Sequence, residues 1–199
     1  GAHYEVTVTN ITRGQTFTTI LVATHRAGVR LFDLGQPAIA ELARLAEEGN
    51  TAPLAALLEG MSGVNDVQSS GGLLVPGGSV TIRVRTQGQF DRVSLASMLI
   101  PTNDAFVALN GVEGPRGRAM MTLIAPAYDA GSERNDETCL SIPGPFFAEC
   151  GGPGGGGAAM GGEEGYVHVH AGIHGIADLV AAERDWRNPV ARVAIQRVR

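Results

Sequence analysis

The sequence predicts an all-β fold, an antiparallel β-sandwich of about eight short strands with a short helical insertion at about residues 37–60. Three observations carry this reading. Segments that alternate polar and apolar side chains, rich in β-branched residues, recur along most of the chain. Turns rich in Gly and Pro separate them at short intervals, in a chain with 28 Gly and 10 Pro among 199 residues. Helical spacing is confined to one stretch, and the strand–helix alternation that a parallel sheet requires is missing. Composition agrees. Apolar residues make up 44%, enough for a sizeable core, and charged residues only 18%, low for a disordered or helical chain. The net charge is −5 and every basic residue is Arg, with no basic block, which argues against a nucleic-acid partner. No apolar run reaches the roughly 18 residues needed to span a bilayer, so a membrane-spanning chain is not expected.

Residues 4–11 (YEVTVTNI) alternate, are rich in β-branched residues and read as a half-buried strand. Arg13-Gly14-Gln15 is a turn, and 17–24 (FTTILVAT) reads as a second strand. Pro37 opens a helix with Ile39, Leu42, Leu45 and Ala46 on one face, closed by Gly49-Asn50. A second short helix follows Thr51, with Pro53 in its first turn. It places Leu54, Leu57, Leu58 and Met61 on one stripe, read as core. From residue 73 the pattern is β again. Residues 79–86 (SVTIRVRT) put Arg83 and Arg85 on the polar face, and strands at 92–99, 105–109 and 119–125 follow. Residues 151–162 (GGPGGGGAAMGG) read as a mobile loop and lack the Lys-Ser/Thr of a phosphate-binding loop. Residues 166–173 and 190–198 complete the strand set. These last strands need partners from earlier in the chain, so 1–199 is read as a single domain with 151–162 a loop inside it.

Carboxylates cluster in two segments, 100–104 and 127–137. If the strand at 92–99 runs up, 100–104 lies at the top. Strand 105–109 then runs down and 119–125 runs up, returning 127–137 to the same rim. Carboxylates gathered at one point need a cation between them, and Ca²⁺ accepts six to eight oxygens in irregular loops. Asp104, Asp129 and Glu133 form the expected calcium ligand set. The competing reading is a solvated acidic loop whose Asp residues cap turns. A second candidate is the histidine segment. His168 and His170 share one face of a strand, with His174 beyond, a set suited to Zn²⁺ or Cu²⁺ that Asp178 would complete. Its competing reading is a pair of hydrogen-bonded, packed or surface histidines. Cys139 and Cys150 lack CxxC spacing. In a reducing compartment they would be two separate thiols, but the secreted character of the chain predicts that they pair as a local disulfide. Ser94, Ser97 and Ser141 lack a nucleophile elbow. Gly1 is not an initiator Met, which fits a processed chain from which any signal peptide has gone.

The segments Ser97-Met98-Leu99-Ile100-Pro101-Thr102-Asn103-Asp104-Ala105-Phe106, Tyr128-Asp129-Ala130-Gly131-Ser132-Glu133-Arg134-Asn135-Asp136-Glu137 and Asp185-Trp186-Arg187-Asn188-Pro189-Val190-Ala191-Arg192-Val193 resemble the spondin domain family. The resemblance covers nearly the whole chain and is strongest to the stand-alone bacterial members of this F-spondin/mindin-type module. It implies a C2-like β-sandwich binding Ca²⁺ through acidic loops at one end, with Asp104, Asp129 and Glu133 at the ligand positions. The expected function is a secreted, cell-surface or periplasmic module for adhesion, macromolecular recognition or extracellular assembly, since loops on a rigid sandwich carry recognition. Its partner would be a cell-surface or matrix macromolecule or other copies of itself. The alternatives are a self-polymerising filament subunit and a metal-dependent hydrolase built on the histidine segment. The inventory lacks a nucleophile with an activating partner, so a non-enzyme is expected.

Overall fold

The computed structural model describes residues 1–145 and 147–199. Among these residues the chain forms eleven strands in two antiparallel sheets, with three short helices. In chain order the strands are β1 (His3–Asn10), β2 (Thr16–Phe17), β3 (Leu21–His25), β4 (Val64–Ser69), β5 (Ser79–Arg85), β6 (Arg92–Ile100), β7 (Ala105–Glu113), β8 (Met121–Ala125), β9 (Ala127–Asp129), β10 (His168–Val169) and β11 (Ala191–Val198). The smaller sheet runs β5-β1-β11-β8. The larger runs β10-β9-β7-β6-β3-β4, with β2 added beside the end of β6. The all-β sandwich is therefore present. Among the described residues no helix is long and apolar enough to cross a membrane.

The smaller sheet shows how alternation builds a half-buried layer. Along β1 the residues Tyr4, Val6 and Val8 are buried while their neighbours are not. Val6 lies opposite Ile195 of β11 and Ile82 of β5, so one face of three strands presents a continuous apolar surface to the other sheet. The outer face is polar, with Thr7 and Thr81 hydroxyls 2.8 Å apart and those of Thr9 and Ser79 2.7 Å apart. The larger sheet is different. All of β3 and nearly all of β6 are buried, because the smaller sheet covers one face and helices cover the other. Those helices are α1 (Ala40–Glu48) and α2 (Ala52–Glu59), which set Leu42, Leu45, Ala46, Leu54 and Leu58 against Leu21, Ala23, Ala96, Phe106 and Ala108. A four-residue turn of helix, α3 (Ala181–Arg184), precedes β11.

Several sequence-based expectations need correction. The strand expected at 17–24 is broken into β2 and β3. Phe17 pairs with Leu99 but Leu21 pairs with Ala96, so one extra residue sits on the first side, and the Ser97 hydroxyl donates to the Thr18 carbonyl there at 2.8 Å. Helix α1 begins at Ala40 and not at Pro37, with Ile39 exposed at its N-cap, while Gly49 closes it at φ 69°. Leu57 and Met61 face outward, leaving Leu54 and Leu58 as the buried stripe of α2. Strand β4 was not foreseen. It is a polar edge strand with little alternation, held by Asp66, whose carboxylate accepts the Arg85 backbone N–H at 2.8 Å and its guanidinium at 3.2 Å. Only His168–Val169 of 166–173 pairs in a sheet, because the chain turns away at Gly172 (φ 91°). The Gly-rich stretch has no helix or strand. It lies against 139–142, with the Gly155 N–H donating to the Cys139 carbonyl at 2.7 Å.

One buried polar pair resembles catalytic chemistry and does none. The Ser94 hydroxyl donates to His25 Nε2 at 2.8 Å, and the Gly111 N–H donates to Ser94 Oγ at 2.8 Å. His25 Nδ1–H donates to the Arg26 carbonyl at 2.8 Å. Both side chains are sealed from solvent, so no substrate reaches them, and they pin β3 to β6. Burial holds the His25 pKa below its ordinary 6.5 because the imidazolium loses its hydration. The unfolded chain thus takes up this proton first. The neutral ring's contribution to stability is full above pH 6.5 and declines as pH falls toward the lowered folded-state value. An NMR titration is expected to place the His25 midpoint below 6.5. A midpoint at or above 6.5 would refute the assignment.

Candidate metal centre

The acidic rim is assembled by the pairing of β7 with β9. Ala105 lies opposite Asp129, which puts Asp104 and Asp129 at the same end of adjacent antiparallel strands. The Ala130 N–H donates to the Asp104 carbonyl at 3.1 Å and closes the junction. The chain reaches β9 by passing from the smaller sheet to the larger at Pro126, between β8 and β9. The two acidic segments share one rim, as the strand count predicts, but by this sheet switch and not by a simple meander. At the turn after β9, Gly131 has φ 68°, and a Cβ there would lie 2.2 Å from the Tyr166 carbonyl oxygen, so only glycine fits.

Asp104 is fully buried. One carboxylate oxygen, Oδ2, accepts the backbone N–H groups of Ser132 and Glu133 at 3.0 and 3.1 Å. The other, Oδ1, is buried with no hydrogen-bond partner. Asp129, 1% exposed, accepts the Gly131 N–H on Oδ1 at 2.8 Å and the Asn135 side-chain N–H on Oδ2 at 2.7 Å. Ligand atoms of Asp104, Asp129 and His170 all lie within 4.8 Å of one another. That is about the greatest separation of two donors across one ion bound at roughly 2.4 Å. Burial, together with the charge of Asp129, pushes the Asp104 carboxyl up to about 9. Two buried carboxylates this close require a proton or a cation between them.

Glu133 is buried on the same rim, but its carboxylate turns to Asn103, whose side-chain N–H donates to Oε1 at 3.0 Å. Burial raises its pKa to about 7. Its side chain is not among the groups gathered around Asp104 and Asp129, and only its backbone N–H reaches them, donating to Asp104 Oδ2. Two residues not singled out in the sequence organise this side. Asn103 also donates to Asp136 Oδ1 at 2.8 Å and accepts the Glu137 N–H at 3.1 Å. Glu137, buried at φ 56°, accepts the backbone N–H groups of His174, Gly175 and Ile176. The run Asn135-Asp136-Glu137 offered only polar character as a signal, and polar character does not distinguish a buried latch from a solvated loop.

The three histidines do not converge. His168 Nε2 and His170 Nε2 lie 3.6 and 3.8 Å from Asp129 Oδ2, so these two do flank one carboxylate. His174 is turned away, its Nε2–H donating to the Ala171 carbonyl at 3.0 Å. Asp178 lies elsewhere too, its carboxylate accepting the Cys139 N–H at 2.8 Å. His170 Nδ1 accepts the Gly172 N–H at 2.9 Å, so the neutral ring carries its proton on Nε2, facing Asp129. Burial depresses its pKa to about 4, against the pull of Asp129. His170 Nε2 therefore faces the rim carboxylates from 3.8 Å without hydrogen-bonding to them. A three-histidine hydrolytic centre is not assembled.

A disulfide joins Cys139 to Cys150. It closes a loop beside the rim, next to a bidentate ion pair in which Arg184 donates to Glu149 at 2.6 and 3.0 Å.

A two-sheet antiparallel sandwich with a buried carboxylate pair at one rim and a disulfide beside it is compatible with an extracellular-type module. The family model Spondin_N matches residues 7–133, from β1 through Glu133, and the chain belongs to that family. The match spans Asp104, Asp129 and Glu133 but ends before the disulfide and the histidine segment 168–174. No curated protein matches the chain.

Proposed function

We propose that the protein is a secreted, cell-surface or periplasmic β-sandwich that binds Ca²⁺ at its acidic rim and serves adhesion, macromolecular recognition or extracellular assembly, without catalytic turnover. The observation that carries this reading is Asp104 Oδ1, a buried carboxylate oxygen without a partner beside a second buried carboxylate. Two buried carboxylates this close hold either a shared proton or a cation, and a hard cation with oxygen ligands would displace the proton and let both ionise. Asp104 and Asp129 supply the anionic oxygens, and Glu133, buried on the same rim, is the third candidate once its carboxylate leaves Asn103 for the ion. The rest of the architecture suits presentation: a rigid sandwich with long segments at one end, the usual location of recognition surfaces. Family membership and the disulfide support an extracellular setting.

The test is thermal unfolding and calorimetric titration of chelator-treated protein. Calcium is expected to raise the melting temperature by mass action, with about 2.7 kcal/mol of stabilisation at a hundredfold excess over Kd. Asp129→Ala should remove most of that shift, and Asp104→Ala or Glu133→Ala a good part. A melting point indifferent to both chelator and added calcium sinks the reading. Sedimentation with and without calcium then separates a monomeric binder from a polymerising subunit.

A further inference from the structure

We propose that Asp129, Glu164 and His168 form a second cation site, selective for a borderline divalent transition ion of the Zn²⁺ class, which fastens the end of the Gly-rich segment to the sandwich. Ligand atoms of these three residues all lie within 4.8 Å of one another. They come from three places: the end of β9, the stretch just after the Gly-rich run, and β10. The histidine is set up as a metal ligand. His168 Nδ1 lies 2.9 Å from the Tyr166 carbonyl, which only accepts, so the ring proton resides on Nδ1. The Nε2 lone pair then points at Asp129 Oδ2, 3.6 Å away. In the neutral ring that nitrogen carries a lone pair, and a cation between it and the carboxylate would take both as ligands. A second imidazole edge meets the same oxygen. His170 Nε2, on a side chain 2% exposed, has no hydrogen-bond partner and lies 3.8 Å from Asp129 Oδ2. Asn135 positions the two acids, donating to Asp129 Oδ2 at 2.7 Å and to Glu164 Oε1 at 3.2 Å.

The donor set decides the ion. One imidazole nitrogen and two carboxylates suit Zn²⁺, with Zn–N and Zn–O bonds of about 2.0–2.2 Å, whereas Ca²⁺ prefers an all-oxygen shell. A backbone carbonyl on the far ring nitrogen is the usual outer support of a metal-bound histidine. Glu164 is exposed, so the ion enters from solvent. Glu164 and His168 lie outside the stretch 7–133 that the family model matches, and the site does not depend on the calcium reading except through Asp129. Its consequence is mechanical. With Glu164 bound to the same ion as β9 and β10, the glycine-rich chain before it loses freedom.

The experiment is calorimetric Zn²⁺ titration of metal-free protein in saturating calcium, with Co²⁺ absorption as a reporter of nitrogen and oxygen ligation. One equivalent of Zn²⁺ is expected to bind. His168→Ala and Glu164→Gln should each weaken binding about tenfold or more. Both variants are expected to keep the native near-ultraviolet dichroism and, if the first site takes calcium, that binding too. His174→Ala, on the turned-away ring, should leave zinc affinity unchanged. Amide hydrogen exchange across 155–165 should slow on adding Zn²⁺ to the parent protein and not to His168→Ala. Absence of zinc binding, or zinc affinity that survives both His168→Ala and Glu164→Gln, overturns the proposal. In the first case His168 is an ion-pair partner of Asp129 only. Asp104→Asn separates the two sites, since it should impair calcium binding while zinc binding persists.

Discussion

Replacing Phe106 with alanine is expected to lower the unfolding free energy by about 4 kcal/mol, the middle of the range for a buried aromatic ring. The ring is fully buried on the helix-covered face of the larger sheet. It meets Phe32 edge-on at 5.4 Å and Tyr128 at 5.6 Å, and Phe32 and Tyr128 lie 4.9 Å apart. Phe106 and Tyr128 are also cross-strand partners in the β7–β9 pair, one residue along from Ala105 and Asp129. The truncation therefore leaves a cavity beneath the strand pair that positions both rim carboxylates. Denaturant unfolding should show a lowered midpoint with little change in slope. If the rim binds calcium as proposed, affinity should fall as well, though no ligand is touched. A loss below about 1 kcal/mol would contradict the packing described for this layer.

Removing the Cys139–Cys150 bridge is expected to cost about 3 kcal/mol in the chain-entropy model, for a loop with a sequence separation of 11. The bridged loop is also tied into the fold by packing. Cys150 lies against a small cluster of Met98, Ile100, Ile142, Phe147, Ile173 and Leu179, and the Arg184 guanidinium sits 5.3 Å above the Phe147 ring. The loss should therefore appear as a lower midpoint of one cooperative transition, with the sandwich still folded. The comparison is between oxidised protein, reduced protein and a Cys139→Ser/Cys150→Ser double variant. Unfolding curves that superimpose for all three would show that the bridge contributes nothing to stability.

The fold was legible wherever one face of an element meets water. Strand β1 and residues 79–85 alternate because one side is buried and the other solvated, and the sequence records that asymmetry directly. Strand β3 is buried on both faces, so its apolar run carried no information about where it would break. The break after Phe17 depends on a one-residue mismatch against β6, which is a property of two strands and not of one. Strand β4 was invisible because an edge strand can be polar.

The site divides along the same line. Composition, strand order and residue type by themselves determined an antiparallel β class, a helical insertion near 37–60, and the meeting of Asp104 with Asp129 at one rim. These follow from local alternation and from the fact that antiparallel neighbours alternate ends. Only the tertiary structure decided that Glu133 turns its carboxylate to Asn103, that Glu137 is a buried latch for residues 174–176, and that His168 and His170 flank Asp129 while His174 faces away. The physical reason is that a polar side chain's direction depends on which donors and acceptors distant segments bring within hydrogen-bond reach. Once buried it must find a partner among them, and those partners lie some 30 to 40 residues away: Asn103 for Glu133 and Glu137, Asp129 for the histidines.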